Sequence, residues 1–134
     1  MEALKIKKFV LVVEDEPYLQ TVLSAVMQEA GYGVVIAASA REAMQKLRKQ
    51  SFFCVITDIA LGDGSGEDVI DYIRNSKIRE LNKATPIVVV SAYVDKTLLQ
   101  KVGKKVNGIF VKPFKPEELR KKIEQLEANP SIAA

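Results

Sequence analysis

The strongest constraint on this chain is a rhythm. Short, nearly continuous runs of apolar and β-branched residues stand at 9–13, 34–37, 52–57, 87–90 and 109–111, with helically spaced segments between them. A run such as Phe9-Val10-Leu11-Val12-Val13 has no polar alternate, as expected of a strand covered on both faces. In the intervening segments apolar residues recur every three to four positions. Leu19, Val22, Leu23, Val26 and Met27 mark the first segment, and Ala43, Met44 and Leu47 the second. Val69, Ile70 and Ile73 mark the third, Leu98, Leu99 and Val102 the fourth, and Leu119, Ile123 and Leu126 the last. Five strand–helix units in succession require right-handed crossovers, and hence a parallel sheet with helices on both faces. The predicted class is α/β, a doubly wound (βα)5 fold, and five strands fit the order 2-1-3-4-5.

The punctuation agrees. Pro17 and Pro116 suit the first turn of a helix, where a missing N–H costs nothing. Ser39 and Glu42 form an S-x-x-E capping box at the start of the second helix. Gly31 and Gly103 sit where helices should end, and Asn129-Pro130 should stop the last one. The third helix runs into a polar stretch, 75–83, that carries no clear boundary signal. A length of 134 residues suits one domain, 1–134, with a core over about 8–127 and short tails.

Composition removes several chemistries. The chain has no histidine, which excludes Ser-His-Asp and Cys-His catalysis, HExxH metal sites and a phosphohistidine of its own. A single cysteine, Cys54, excludes an internal disulfide and any CxxC site. No apolar run approaches a membrane span, and the run after Lys5, Lys7 and Lys8 is too short for a signal peptide, so the expected location is cytoplasmic. The net charge of +3 is concentrated in residues 96–122, with nine basic and two acidic side chains. A solvated basic helix face explains this better than nucleic-acid binding, which is not expected.

In a doubly wound sheet, ligands bind beyond the carboxyl ends of the strands. There the sequence places Glu14-Asp15-Glu16 after the first strand, Asp58 after the third, Ser91 after the fourth and Lys112 after the fifth. Alone, each has a plain reading: helix N-terminal acids, a turn residue, a cap, a snorkelling lysine. Those readings leave unexplained why all four stand at the same rim. Neighbouring first and third strands would bring Glu14, Asp15 and Asp58 together, and three carboxylates repel unless a cation sits among them. Oxygen donors without His or Cys favour a hard ion such as Mg²⁺. Asp is a covalent phosphoryl acceptor, Lys112 supplies a positive charge for one phosphoryl oxygen, and Ser91 a hydroxyl for another.

These pieces resemble the receiver domain of two-component response regulators over about residues 8–127. The similarity is carried by VLVVEDEP at 10–17, VITDIALGDGSG at 55–66, IVVVSA at 87–92 and VKPF at 111–114. The resemblance implies a flavodoxin-like receiver fold, for which the 2-1-3-4-5 order is familiar, and a phosphorylation-activated signalling switch rather than an enzyme. It implies that Asp58 is the phospho-acceptor. Asp15, Asp58 and the backbone carbonyl of Ala60 would bind Mg²⁺, with Glu14 acting through a metal-bound water. Ser91 and Lys112 would be the switch hydroxyl and the phosphoryl-binding lysine, and Gly66 the glycine eight residues after the acceptor. The implied partners are a sensor histidine kinase or histidine phosphotransfer protein, and a downstream protein or effector domain docking on the face around 96–122.

The chain departs from the family pattern at three places. Glu14 stands where Asp is commoner. Gly62 stands where proline is common, which should loosen the loop. Ile109 replaces an aromatic residue, while Phe110, one residue later, should point to the other side of the sheet. The enzyme alternative is a haloacid-dehalogenase-like phosphatase with an Asp nucleophile. It needs a D-x-D motif after the first strand, where this chain reads Glu14-Asp15-Glu16-Pro17.

Overall fold

The continuous apolar runs become strands with two buried faces. In the computed structural model, which describes residues 7–75 and 82–129, the elements are β1 (Phe9–Val13), α1 (Pro17–Glu29), β2 (Gly33–Ala37), α2 (Ala40–Lys49), β3 (Cys54–Asp58), β4 (Ala60–Leu61), β5 (Gly64–Ser65), α3 (Gly66–Asn75), β6 (Ile87–Ser91), α4 (Lys96–Val102), β7 (Gly108–Val111) and α5 (Pro116–Ala128). Five strands form one parallel sheet in the order β2-β1-β3-β6-β7. Leaving aside the two-residue pair β4–β5, this is the predicted 2-1-3-4-5. The small antiparallel pair lies inside the Gly-rich loop, where two-residue strands are too short to leave a periodic trace.

Strand alternation divides the core in two. Val10, Val12, Cys54, Ile56, Val88 and Val90 pack with Leu23 and Met27 of α1 and Leu119, Ile123 and Leu126 of α5. Leu11, Val13, Val55, Ile87 and Val89 face the other way, toward α2, α3 and α4. Ile109 packs with the second group and Phe110 with the first, so the two residues do lie on opposite faces.

Capping follows the expected chemistry, with corrections. Pro17 and Pro116 open α1 and α5. Ser39 accepts the Glu42 N–H at 3.1 Å, but the Glu42 carboxylate turns to Ala38 N–H rather than closing the box on Ser39. Gly31 has φ 95° and ends α1 with two backbone bonds, its own N–H to Gln28 and that of Tyr32 to Met27. Gly103 also ends its helix, in a right-handed conformation, and there the need for glycine is one of space: a Cβ would stand 2.5 Å from the Leu99 carbonyl oxygen. The strand read from Phe52 begins only at Cys54, and α3 is described to Asn75. Residues 76–81 of the polar stretch, and Pro130, lie outside the described residues.

Candidate functional site

Parallel strands that end together deliver the side chains that follow them to one rim. Glu14 follows β1, Asp58 ends β3, Ser91 ends β6 and Lys112 follows β7. Glu14, Asp15 and Asp58 each offer a carboxylate oxygen, and these lie within 4.8 Å of one another. Glu14 is fully buried and Asp58 nearly so, whereas Asp15 is exposed. The Lys112 ammonium enters between the buried pair, 2.5 Å from Asp58 Oδ2 and 3.0 Å from Glu14 Oε1. Its peptide bond to Pro113 is cis.

The electrostatics follow from burial and from that pairing. Burial raises the Glu14 carboxyl above its ordinary range; the Asp58 charge adds to this, while the Glu16 N–H and Lys112 oppose it. Burial alone would lower the Lys112 pKa. Its hydrogen bonds to Asp58 and Glu14 outweigh that, and the ammonium is held above its ordinary value. Three carboxylates thus meet one ammonium, which leaves the rim anionic.

The remaining candidates are placed less directly. Asp58 Oδ1 accepts the Ala60 N–H at 3.1 Å, so Ala60 is tied to the acceptor through its backbone. The Ser91 hydroxyl donates to the Tyr93 carbonyl at 2.9 Å and accepts the Tyr93 N–H at 3.3 Å, so it is engaged with the loop that follows it. Gly66 is required by contact: a Cβ there would stand 1.9 Å from the Asp58 carbonyl oxygen. The freedom expected of Gly62 is countered by its neighbour Asp63, whose carboxylate takes two N–H groups of α2. The partners of Asp63 are 22 and 23 positions away, so no local pattern in the sequence announces them.

The profile of the response regulator receiver domain matches residues 10–124. The chain belongs to this family. Among curated relatives of this receiver domain, the transcriptional regulatory protein ZraR of Escherichia coli is 27% identical over 121 residues, covering 90% of this chain and 26% of ZraR. The alkaline phosphatase synthesis transcriptional regulatory protein PhoP of Bacillus subtilis is 28% identical, covering 95% of this chain and 51% of PhoP. The receiver domain therefore spans about a quarter to a half of these relatives. Among solved structures, the chemotaxis response regulator CheY4 of Vibrio cholerae superposes with a TM-score of 0.80 at 30% identity, covering 90% of this chain and 99% of CheY4. The receiver domain of sensor histidine kinase PA1611 from Pseudomonas aeruginosa, solved with a magnesium ion in its active site cleft, has a TM-score of 0.78 at 27% identity over 90% and 97%. The family membership and the missing D-x-D pair both disfavour the dehalogenase-like alternative.

Proposed function

We propose that this receiver domain is a switch operated by phosphorylation of Asp58. The carrying observation is the convergence of Glu14, Asp15 and Asp58 within 4.8 Å, with the Lys112 ammonium between two of them. Oxygen donors of this kind fit Mg²⁺, the ion named for the similar PA1611 receiver domain. Asp15, Asp58 and the Ala60 carbonyl would hold it directly, and Glu14 through a water. Bound there, the ion would neutralise charge on the incoming phosphoryl group.

The rest of the chemistry belongs to side chains. A carboxylate oxygen of Asp58 forms the bond to phosphorus as the bond to the donor breaks, and the donor departs with the bonding electron pair. Lys112 exchanges a carboxylate contact for a phosphoryl oxygen, a charge-assisted bond. Ser91 gives up the Tyr93 carbonyl and donates to another phosphoryl oxygen, which pulls on the loop before α4. Ile109 is branched at Cβ and restricted in rotamer, so this loop carries the change without a swinging aromatic ring.

The donor is a sensor histidine kinase or a histidine phosphotransfer protein, which places the domain in the cytoplasm. An apolar groove of about 500 Å³ beside Lys112, lined by Tyr18, Leu19, Val22, Phe114 and Pro116, offers such a donor a seat. The output is a downstream protein or effector domain docking on the basic face around 96–122, where Leu99 and Val111 are exposed. The domain contacts no nucleic acid itself and, among the described residues, no helix is long and apolar enough to cross a membrane. The domain assists its own phosphorylation and dephosphorylation but turns over no substrate of another kind.

Intact-mass analysis after incubation with Mg²⁺ and acetyl phosphate tests this. One labile phosphate adduct is expected on the wild type and none on Asp58→Asn. An unmodified wild type, or equal labelling of Asp58→Asn, would overturn the reading.

A further inference from the structure

The first turn of α2 is capped twice, once from outside its own segment. Ser39 takes the Glu42 N–H, while the N–H groups of Ala40 and Arg41 go to Asp63 Oδ1 and Oδ2 at 2.9 and 3.1 Å. These are donors that a helix start cannot satisfy internally, and a carboxylate there is also favoured by the helix dipole. Asp63 lies at the tip of the hairpin formed by β4 and β5. Those two bonds, with a smaller contribution from the Ser39 side chain, hold its carboxyl below the usual range, so it is charged at neutral pH.

Apart from the Leu61 side chain, which is buried in the core on the α2 and α3 side, and a Ser65 N–H bond to Asp68 at 3.4 Å, the hairpin has little else to fix its tip. It consists of two residue pairs, Ala60 with Ser65 and Leu61 with Gly64, and its turn contains Gly62. A pair this short is marginal alone, and glycine adds freedom. Its base is secured where Gly66 N–H meets the Ile59 carbonyl at 2.8 Å and where Ala60 N–H meets Asp58. Its tip is secured by Asp63. Ala60, the residue whose carbonyl belongs to the proposed cation site, stands at that base, one residue before the buried Leu61 and three before the Asp63 tether.

We infer that Asp63 is a positioning residue for that cation site: by clamping the hairpin tip to α2, it fixes where the Ala60 backbone faces Asp58. The inference rests on the Mg²⁺ reading given above. Contacts that orient ligands from outside the coordination sphere are typically worth ~10–100-fold in metal affinity.

Two variants separate this clamp from simple helix capping. Ser39→Ala removes a cap from the same turn of α2 and the smallest of the contacts on the Asp63 carboxylate, while the hairpin stays tethered through the Ala40 and Arg41 N–H groups. Asp63→Ala removes the tether. Titration calorimetry with Mg²⁺ should show affinity about tenfold weaker in Asp63→Ala and unchanged in Ser39→Ala. Asp63→Asn, which keeps one oxygen acceptor, should fall between. In metal-free protein, amide exchange from Ala60 to Ser65 should quicken in Asp63→Ala only. Wild-type affinity in Asp63→Ala, or equal losses in Asp63→Ala and Ser39→Ala, would overturn the inference alone. A wild type that binds no Mg²⁺, or an Asp15→Asn variant that binds as well as wild type, would overturn the metal-site reading and this inference with it.

Discussion

At the amino-terminal rim of the sheet, buried Asn82 donates to the Leu47 and Gln50 carbonyls, both at 2.9 Å, and accepts the Phe52 N–H at 2.8 Å. Arg74 beside it gives its guanidinium to the Lys105, Lys83 and Thr85 carbonyls, and Asn107 takes the Ile87 N–H. At the opposite rim, Glu14 and Asp58 share the single ammonium of Lys112, and Asp15 stands next to them. Both rims bury polar groups, which is costly unless each is paired. The amino-terminal rim pairs them with neutral backbone and side-chain groups and is finished as folded. The carboxyl-terminal rim pairs three anions with one cation, and has capacity for another positive charge. A rim of the first kind stabilises; one of the second kind can respond to a ligand.

The sharpest way to break this comparison is Lys112→Ala. It leaves two buried carboxylates facing each other, and a loss of ~3 kcal/mol in unfolding free energy is expected. Urea denaturation should show most of that loss restored by saturating Mg²⁺; a loss the ion leaves untouched would mean that the rim does not lack positive charge. Asn82→Ala should cost about 2 kcal/mol by stranding buried carbonyls and an N–H, and Mg²⁺ should recover none of it. The smallest effect at neutral pH concerns Tyr32, whose hydroxyl bonds Glu127 at 2.9 Å. Burial, and then the Glu127 carboxylate, push its phenol above the usual range. The folded protein therefore keeps a proton that the unfolded chain loses, so stability is full below about pH 10 and falls as pH rises beyond it. Tyr32→Phe should flatten that alkaline limb in pH-dependent melts while changing neutral stability by under ~1.5 kcal/mol.

The legibility of the two rims differs for the same reason. Strand ends are visible in sequence, because five apolar runs stop at identifiable residues; Glu14, Asp58, Ser91 and Lys112 could be named from position alone. What lies across the chain was not visible. Nothing local to Asp63 announces partners on α2, and nothing in the 75–83 stretch marks Asn82 as a pin for the loop after α2. The direction of the Ser91 hydroxyl is a similar case: its bonds to Tyr93 are made within the loop, and residue type alone does not aim it. The Asp95 cap on Leu98 N–H, at 2.8 Å, was legible in principle as Asp three residues before an apolar pair.

The placement of Lys112 has a consequence in time as well as in space. It is separated from Glu14 by 98 positions and from Asp58 by 54. A ribosome delivers the chain from its amino end, at roughly 5–20 residues per second. All three carboxylates are therefore synthesised seconds before the ammonium that two of them share. During that interval β1 and β3 can pair only by bringing like charges together. The charge balance of this rim is therefore completed only when β7, the last strand of the sheet to be made, has been delivered.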